Sequence, residues 1–329
     1  MKKHNSKASI QTILYFLILA LLVLLLLVSI YSGYILYNDF YGKPQNLSVI
    51  LPPDSNDSNQ HYGDVKQFNK NMKFNHNLIS VKFFDCTLDE ESRMSKAFEI
   101  ITNETGIIPF KKTNENPDIE ILCSEANKQT DNQDSDYFIA GEGGAKEIIQ
   151  TNKYNVIVQG SVLLYDSQNK GLKCSNPTVE LHELIHVFGF DHSPNPKSLM
   201  YPYLSSCDQK LDSSIVNELK KLYSESNLPD LYFDSFSQPV KKGRYINLNF
   251  TIKNSGTVDA ENATFSILED NQVVETHLLG TMRFGAGVSM KMENIKLKSS
   301  NPEKISIIID NDNNLKELDR VNNIAEISF

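Results

Sequence analysis

Eleven consecutive residues constrain this chain more than any others: His182-Glu183-Leu184-Ile185-His186-Val187-Phe188-Gly189-Phe190-Asp191-His192. A helix through the first part of this run projects His182 and His186 from one face, because they lie four residues apart, so both ring nitrogens can reach one metal ion. Gly189 can take the positive φ that ends a helix sharply, and the turn returns His192 as a third ligand. Three protein ligands leave the fourth position of a tetrahedral zinc ion open to water, which distinguishes a catalytic from a structural site. Glu183 lies one step round the helix, able to reach that water without being a ligand. Zinc lowers the pKa of such a water to about 7 and polarises a carbonyl, which suits amide hydrolysis. The competing reading is an ordinary helix that happens to carry these residues. The third histidine and the glycine weigh against it, since a bare His-Glu-x-x-His would be much weaker.

This run is the long metzincin form of the zinc-peptidase motif, and the following residues sharpen the resemblance. Ser193 follows the third histidine, and Ser198-Leu199-Met200-Tyr201-Pro202-Tyr203 resembles the Met-turn that lies beneath the ligands in that family. The pairing of His-Ser with Leu-Met-Tyr-Pro resembles matrixins. Astacins and serralysins carry a tyrosine two positions after the methionine, where Pro202 stands here. The resemblance implies an α+β catalytic domain, with a mixed twisted sheet plus helices, spanning residues 76–227. It implies Zn2+ held by His182, His186 and His192, Glu183 as the catalytic general base, and Met200 packed under the metal. Pro202 and Tyr203 match the family's substrate-binding wall. An extended peptide substrate would pair along an edge strand, for which Tyr137–Gly141 is the candidate. Matrix metalloproteinases also hold a second zinc through an upstream His/Asp cluster. The other histidines here are only His4, His61, His76 and His277, so that cluster is missing and structural calcium is left in doubt. The specific motifs lie within residues 182–203.

Around this domain the chain reads in pieces. Its 329 residues allow two domains and an extra segment, and its net charge of −9 argues against a nucleic-acid partner. Residues from Ile13 to Ile30 are apolar apart from Ser29, with near-apolar sequence to Tyr37. About 20 such residues cross a bilayer. Lys2, Lys3 and Lys7 precede the run, so residues 1–37 read as a cytoplasmic tip and signal anchor. A cleaved signal peptide is the alternative, but its apolar core is shorter and no small-x-small cleavage site follows. The expectation is a single-pass cell-membrane protein with an extracellular catalytic domain. Residues 38–75 are rich in Asn, Asp, Ser and Pro and read as a flexible stalk; they contain no cysteine, so latency of the matrixin cysteine type is absent.

Cys86, Cys123, Cys174 and Cys207 lie on the exported side and allow three pairings. Cys174–Cys207 would staple the entrance of the metal-binding helix to the loop after the Met-turn, leaving Cys86–Cys123 to join two strands; free buried thiols are the alternative. Asn46, Asn56, Asn103, Asn249 and Asn262 head glycosylation sequons, weak support for export.

Within 76–227 the patterns predict strands at 78–84, 107–110, 118–123, 137–140 and 154–164, with a loop at Gly141-Glu142-Gly143-Gly144. Helices are expected from Asp89 to about Asn103 and from Leu211 to Tyr223, and the metal-binding helix is capped by Asn176 with Pro177 at its first position. Residues 228–329 alternate over short strands, such as Tyr245–Lys253, Thr264–Leu268, Ser289–Met292 and Ile305–Ile309, and argue an immunoglobulin-like β-sandwich. Pro229-Asp230-Leu231, Asn254-Ser255-Gly256 and Glu317-Leu318-Asp319 resemble the cell-adhesion-related (CARDB-like) domains of prokaryotic surface proteins, which implies a cell-surface partner. The run Asp310-Asn311-Asp312-Asn313-Asn314 reads as an acidic turn, with calcium ligation the alternative. The whole reads as a membrane-anchored zinc endopeptidase acting on protein or peptide substrates. Two rivals are a surface adhesion or scaffold protein with an inactive zinc domain, and a metal-dependent amidase.

Overall fold

A computed structural model describes residues 10–52, 66–125, 128–129, 138–165 and 174–328. The first element is helix α1 (Ile10–Tyr41), whose Leu14–Asn38 stretch has mean hydropathy 2.9 and no residue buried against the rest of the protein. Those 25 residues extend about 37 Å, more than the ~30 Å of a hydrocarbon core. The helix is therefore long and apolar enough to cross a membrane once. Strands β1 (Gln45–Asn46) and β2 (Ser48–Ile50) follow it directly.

The next region carries β3 (Met72–Phe74), β4 (Ile79–Phe84), α2 (Leu88–Thr105), β5 (Phe110–Lys112), β6 (Ile119–Ser124), β7 (Lys128–Gln129), β8 (Phe138–Ile139), β9 (Gly141–Gln150), β10 (Asn155–Tyr165), α3 (Thr178–Val187) and α4 (Ser213–Ser224). Strands β3, β10, β6, β4 and β5 pair in parallel, and β9 joins β10 antiparallel, so the sheet is mixed. Helix α2 starts at a capping box: Thr87 accepts from the Glu90 amide, and the Glu90 carboxylate accepts from the Thr87 amide. It ends at Gly106, whose φ of 73° suits the left-handed cap. Met94, Ala97, Phe98 and Ile101 are the apolar stripe of α2, and they share one core with Leu184, Ile185 and Phe188 of the α3 segment and with Leu219 and Tyr223 of α4. Arg93 of α2 ties the helices together from the side. It forks onto the buried Glu180 carboxylate at 2.6 and 3.1 Å and donates to the carbonyls of Cys174 and Asn176.

Three expectations change here. The glycine run 141–144 is the start of β9, not a loop. Packing explains why: a Cβ on Gly143 would lie 2.0 Å from the Glu183 carbonyl oxygen, so glycine lets the strand lie directly on α3. Among the described residues Gly141–Gln150 is an edge strand that pairs with β10 alone, whereas Phe138–Ile139 of the candidate Tyr137–Gly141 pairs only with β7, and Tyr137 lies outside the described residues. The cap of α3 is Pro177, with Asn176 one step earlier, offering its carbonyl to the Thr178 amide at 2.8 Å.

Strands β11 (Leu231–Phe236), β12 (Val240–Lys242), β13 (Tyr245–Asn254), β14 (Ala260–Glu269), β15 (Gln272–Met282), β16 (Gly287–Lys296), β17 (Ile305–Ile309) and β18 (Ile324–Ser328) build the C-terminal sandwich. One sheet runs β1-β12-β13-β11 with β16 on β13, and the other runs β15-β14-β17-β18-β2, all antiparallel. The stalk expectation thus changes at both ends. Residues 45–50 belong to this sandwich, and residues 72–74 belong to the catalytic sheet, while residues 53–65 lie outside the described set. The Asp310 run is an acidic turn: the buried Asp310 carboxylate accepts from the amides of Asn314 and Leu315 and pairs with Arg320 at 2.9 Å. The two regions meet where the β9–β10 hairpin turns. Thr151 donates to the Ser255 carbonyl at 2.8 Å, and Gly285 packs on Ile149.

Candidate metal centre

Helix α3 is buried on nearly every side, with Leu184, Ile185 and Val187 inaccessible, because it lies between β9, β10 and α2. Its polar residues are accordingly met by groups from other segments: Glu180 by Arg93, His182 by the Leu199 carbonyl and Glu183 by the Gly143 amide. Gly189, at φ 86°, ends the helix against Met72, where a Cβ would fall 2.4 Å from the sulfur. The chain then reverses, and His192 returns beside the helix.

The three imidazoles converge. Nε2 of His186 lies 3.1 Å from Nε2 of His182 and 3.2 Å from Nε2 of His192. The other nitrogens of the first two rings are committed elsewhere: Nδ1 of His182 donates to the Leu199 carbonyl and Nδ1 of His186 to the Phe190 carbonyl, each at 2.7 Å. A carbonyl accepts only, so each Nδ1 carries the proton and each Nε2 presents a lone pair. Burial pushes the His182 imidazolium down to about 4, the Leu199 hydrogen bond opposing and the two neighbouring rings reinforcing. His186 is lowered too, again mainly by burial, with His192 adding while Phe190 and Asp191 oppose. Neutral lone pairs so close together repel unless a cation lies among them. Tetrahedral ligands at 2.0–2.1 Å stand about 3.3 Å apart, so the observed separations fit one ion. The cluster can hold a metal, and nitrogen-only ligation by three imidazoles suits zinc.

The loop after His192 supports this arrangement. The Ser193 amide donates to the Met200 carbonyl at 2.7 Å, and the Leu199 amide to the Lys210 carbonyl at 2.7 Å. The Ser198 hydroxyl donates to Asp212 and accepts from the Met200 amide. Met200 is fully buried in the catalytic core, whereas Pro202 and Tyr203 are exposed. Gln209 gathers the rest of the loop, donating to the carbonyls of Pro196 and Tyr203. Both disulfides have formed: Cys174–Cys207 joins the approach to α3 with this loop, and Cys86–Cys123 joins the segment after β4 to β6.

Glu183 is buried beside His182, with β9 lying across it. A Cβ on Gly141 would meet its Cγ at 2.7 Å, and the Gly143 amide donates to its carboxylate. Counting the protein's own charges alone, burial pushes the Glu183 carboxyl up to about 8, with Glu142 adding and the Gly143 amide opposing. A dication nearby favours the ionised form and would draw this value back down.

The three imidazoles that the sequence singles out converge, and Glu183 lies buried beside them. Their outer partners, the Leu199 and Phe190 carbonyls and the Gly143 amide, are not legible in the sequence. Main-chain groups leave no residue-type signature; the glycine run was the one available sign.

Three imidazoles converging on one point, next to a buried glutamate, define a zinc-metallopeptidase centre of metzincin type. Residues 75–224 match the family described as Matrixin, and residues 228–327 match CARDB. The chain is therefore a zinc metalloendopeptidase built from a matrixin catalytic domain and a C-terminal CARDB domain. Among solved structures it is similar to a domain of a Methanosarcina acetivorans protein, at 21% identity and TM-score 0.27, covering 31% of this chain and 90% of that one. It is also similar to a Pyrococcus furiosus CARDB domain, at 15% identity and TM-score 0.26, covering 31% and 87%. No curated protein matches the chain.

Proposed function

We propose that this enzyme is a single-pass membrane protein whose peptidase domain works outside the cell. The working units in this reading are the anchor at 1–37, the connector at 38–75, the peptidase at 76–227 and the sandwich at 228–329. Lys2, Lys3 and Lys7 before the apolar helix favour a cytoplasmic N-terminus. The disulfides support the outward orientation, since such bonds persist in oxidising surroundings. The sandwich would meet a cell-surface or extracellular partner.

His182, His186 and His192 hold the ion, and Met200 packs beneath them. When bound, zinc supplies Lewis-acid polarisation of the scissile carbonyl and makes water acidic enough to attack near neutral pH. The Glu183 carboxylate takes the proton from the attacking water and returns it to the departing amine nitrogen. The Gly143 amide keeps that carboxylate aimed. The substrate chain lies along the free edge of β9, with main-chain pairing providing affinity, while Pro202 and Tyr203 flank its side chain. The observation that carries this reading is a buried Glu183 directly after the first ligand, clamped by the strand that would bind substrate. Glu183→Gln tests it. The variant should keep one zinc per chain and lose about 10²–10⁴-fold in cleavage of an unfolded protein. Unimpaired cleavage would remove Glu183 as the base.

A further inference from the structure

Only Gly42, Lys43 and Pro44 separate the end of α1 from β1. Gly42 already touches the sandwich: a Cβ there would lie 3.1 Å from the Gly243 nitrogen, in the turn between β12 and β13. The next residues then close both sheets. Gln45 and Asn46 pair antiparallel with Lys241 and Val240 on one sheet, and Ser48, Val49 and Ile50 pair with Ser328, Ile327 and Glu326 on the other. Leu47 crosses between them. Its amide donates to the Pro239 carbonyl at 3.0 Å, and its side chain, 5% exposed, enters the sandwich core, with Val49 and Leu51 packed against the same core. Without this segment β18 would be an unpaired edge with a slot in the core beside it, an arrangement that proteins avoid.

From this we infer that the CARDB domain is a receptor for the anchor's own connector. Residues 45–50 fasten the ectodomain to the membrane-bound helix by strand pairing as well as by the continuous chain. The sandwich is then the membrane-proximal pedestal, reached at most about 14 Å from the end of α1 across the connecting residues. The peptidase domain hangs from it. A cut between residues 53 and 65 leaves the enzyme attached, because both halves of the strand pairing survive the cut. The inference rests on α1 spanning a membrane.

A site-specific protease sequence inserted between Asn56 and Asp57 of the full-length protein tests this in sedimented vesicles. Uncut protein must pellet; uncut protein in the supernatant would overturn the membrane reading itself. After complete cutting the ectodomain should still pellet, and its release by the cut alone would overturn the strand pairing. Leu47→Asp should convert the cut into release, with peptide hydrolysis retained before cutting as evidence of folding. Pelleting of that variant after the cut would place the attachment elsewhere and overturn the inference. Amide exchange offers a second reading that needs no variant. The Leu47 amide and those amides of 48–50 that face β18 should be protected before and after cutting, and free-peptide exchange rates at these amides in the uncut protein would also overturn it.

Discussion

Adding one methyl group at Gly143 should disable the enzyme without touching a metal ligand. The new Cβ would fall 2.0 Å from the Glu183 carbonyl oxygen, 2.6 Å from its carbon and 2.8 Å from its Cα. Ordinary contact begins at 3.4 Å, so strand and helix must part by 3.4 less 2.0, or about 1.4 Å. All three atoms are backbone, so no rotamer change relieves the clash. Overpacking of this kind costs about 1–3 kcal/mol of stability. The larger effect is on chemistry, because the Gly143 amide that holds the Glu183 carboxylate and the β9 edge move together. A misplacement of about 1 Å costs on the order of 10²-fold, near 2.7 kcal/mol of barrier. The next glycine is the control, since a Cβ on Gly144 meets nothing within 4 Å. Measured with a fluorogenic peptide, kcat/KM of Gly143→Ala should fall about 100-fold with zinc content preserved, while Gly144→Ala stays within about threefold. Equal activity of the two variants would refute the argument that β9 positions Glu183.

Two more expectations follow from the site. The Glu183 carboxyl is raised by burial to about 8 from 4.5, so the chelated protein binds the extra proton only when folded. Its contribution is fully present below pH 4.5 and lost as pH rises through 8. Chelated Glu183→Gln should therefore melt with the wild type at pH 4.5 and above it at pH 8.5, by on the order of 3 kcal/mol after discounting for partial hydration; coincident melting curves at both pH values would contradict this. Cys174 and Cys207 close a loop with a sequence separation of 33. Replacing both with serine should cost about 4 kcal/mol by loop entropy and raise KM more than it lowers kcat, since the loop carrying Tyr203 loosens. Unchanged thermal unfolding and KM would count against a stapling role.

The fold and site were legible where side-chain identity carries the information. Histidine spacing and the Ser-Leu-Met-Tyr-Pro run specify ligands and turn, and the stripe of Met94, Phe98 and Ile101 specifies α2. The glycines at 141 and 143 were ambiguous because close strand–helix packing and a loop favour the same residue. The connector was misleading in a different way. Leu47, Val49 and Leu51 alternate as a strand should, but the Pro, Asp and Asn residues that follow outweighed five residues of pattern. The partners of Gln45 and Val49, Lys241 and Ile327, lie about 200 and 280 positions away in sequence, a separation that no local propensity encodes. Strand β15 is hard to read for a related reason: it is an edge strand with a largely exposed face, and its Val273-Val274 and Leu278-Leu279 doublets break the apolar alternation.

Titrating zinc into the chelated enzyme while following peptide cleavage tests the central claim most directly. Activity should be absent at the start, rise linearly, and break at one zinc per chain. Cleavage that persists under chelation, or that breaks at a different stoichiometry, would contradict a single ion held by His182, His186 and His192.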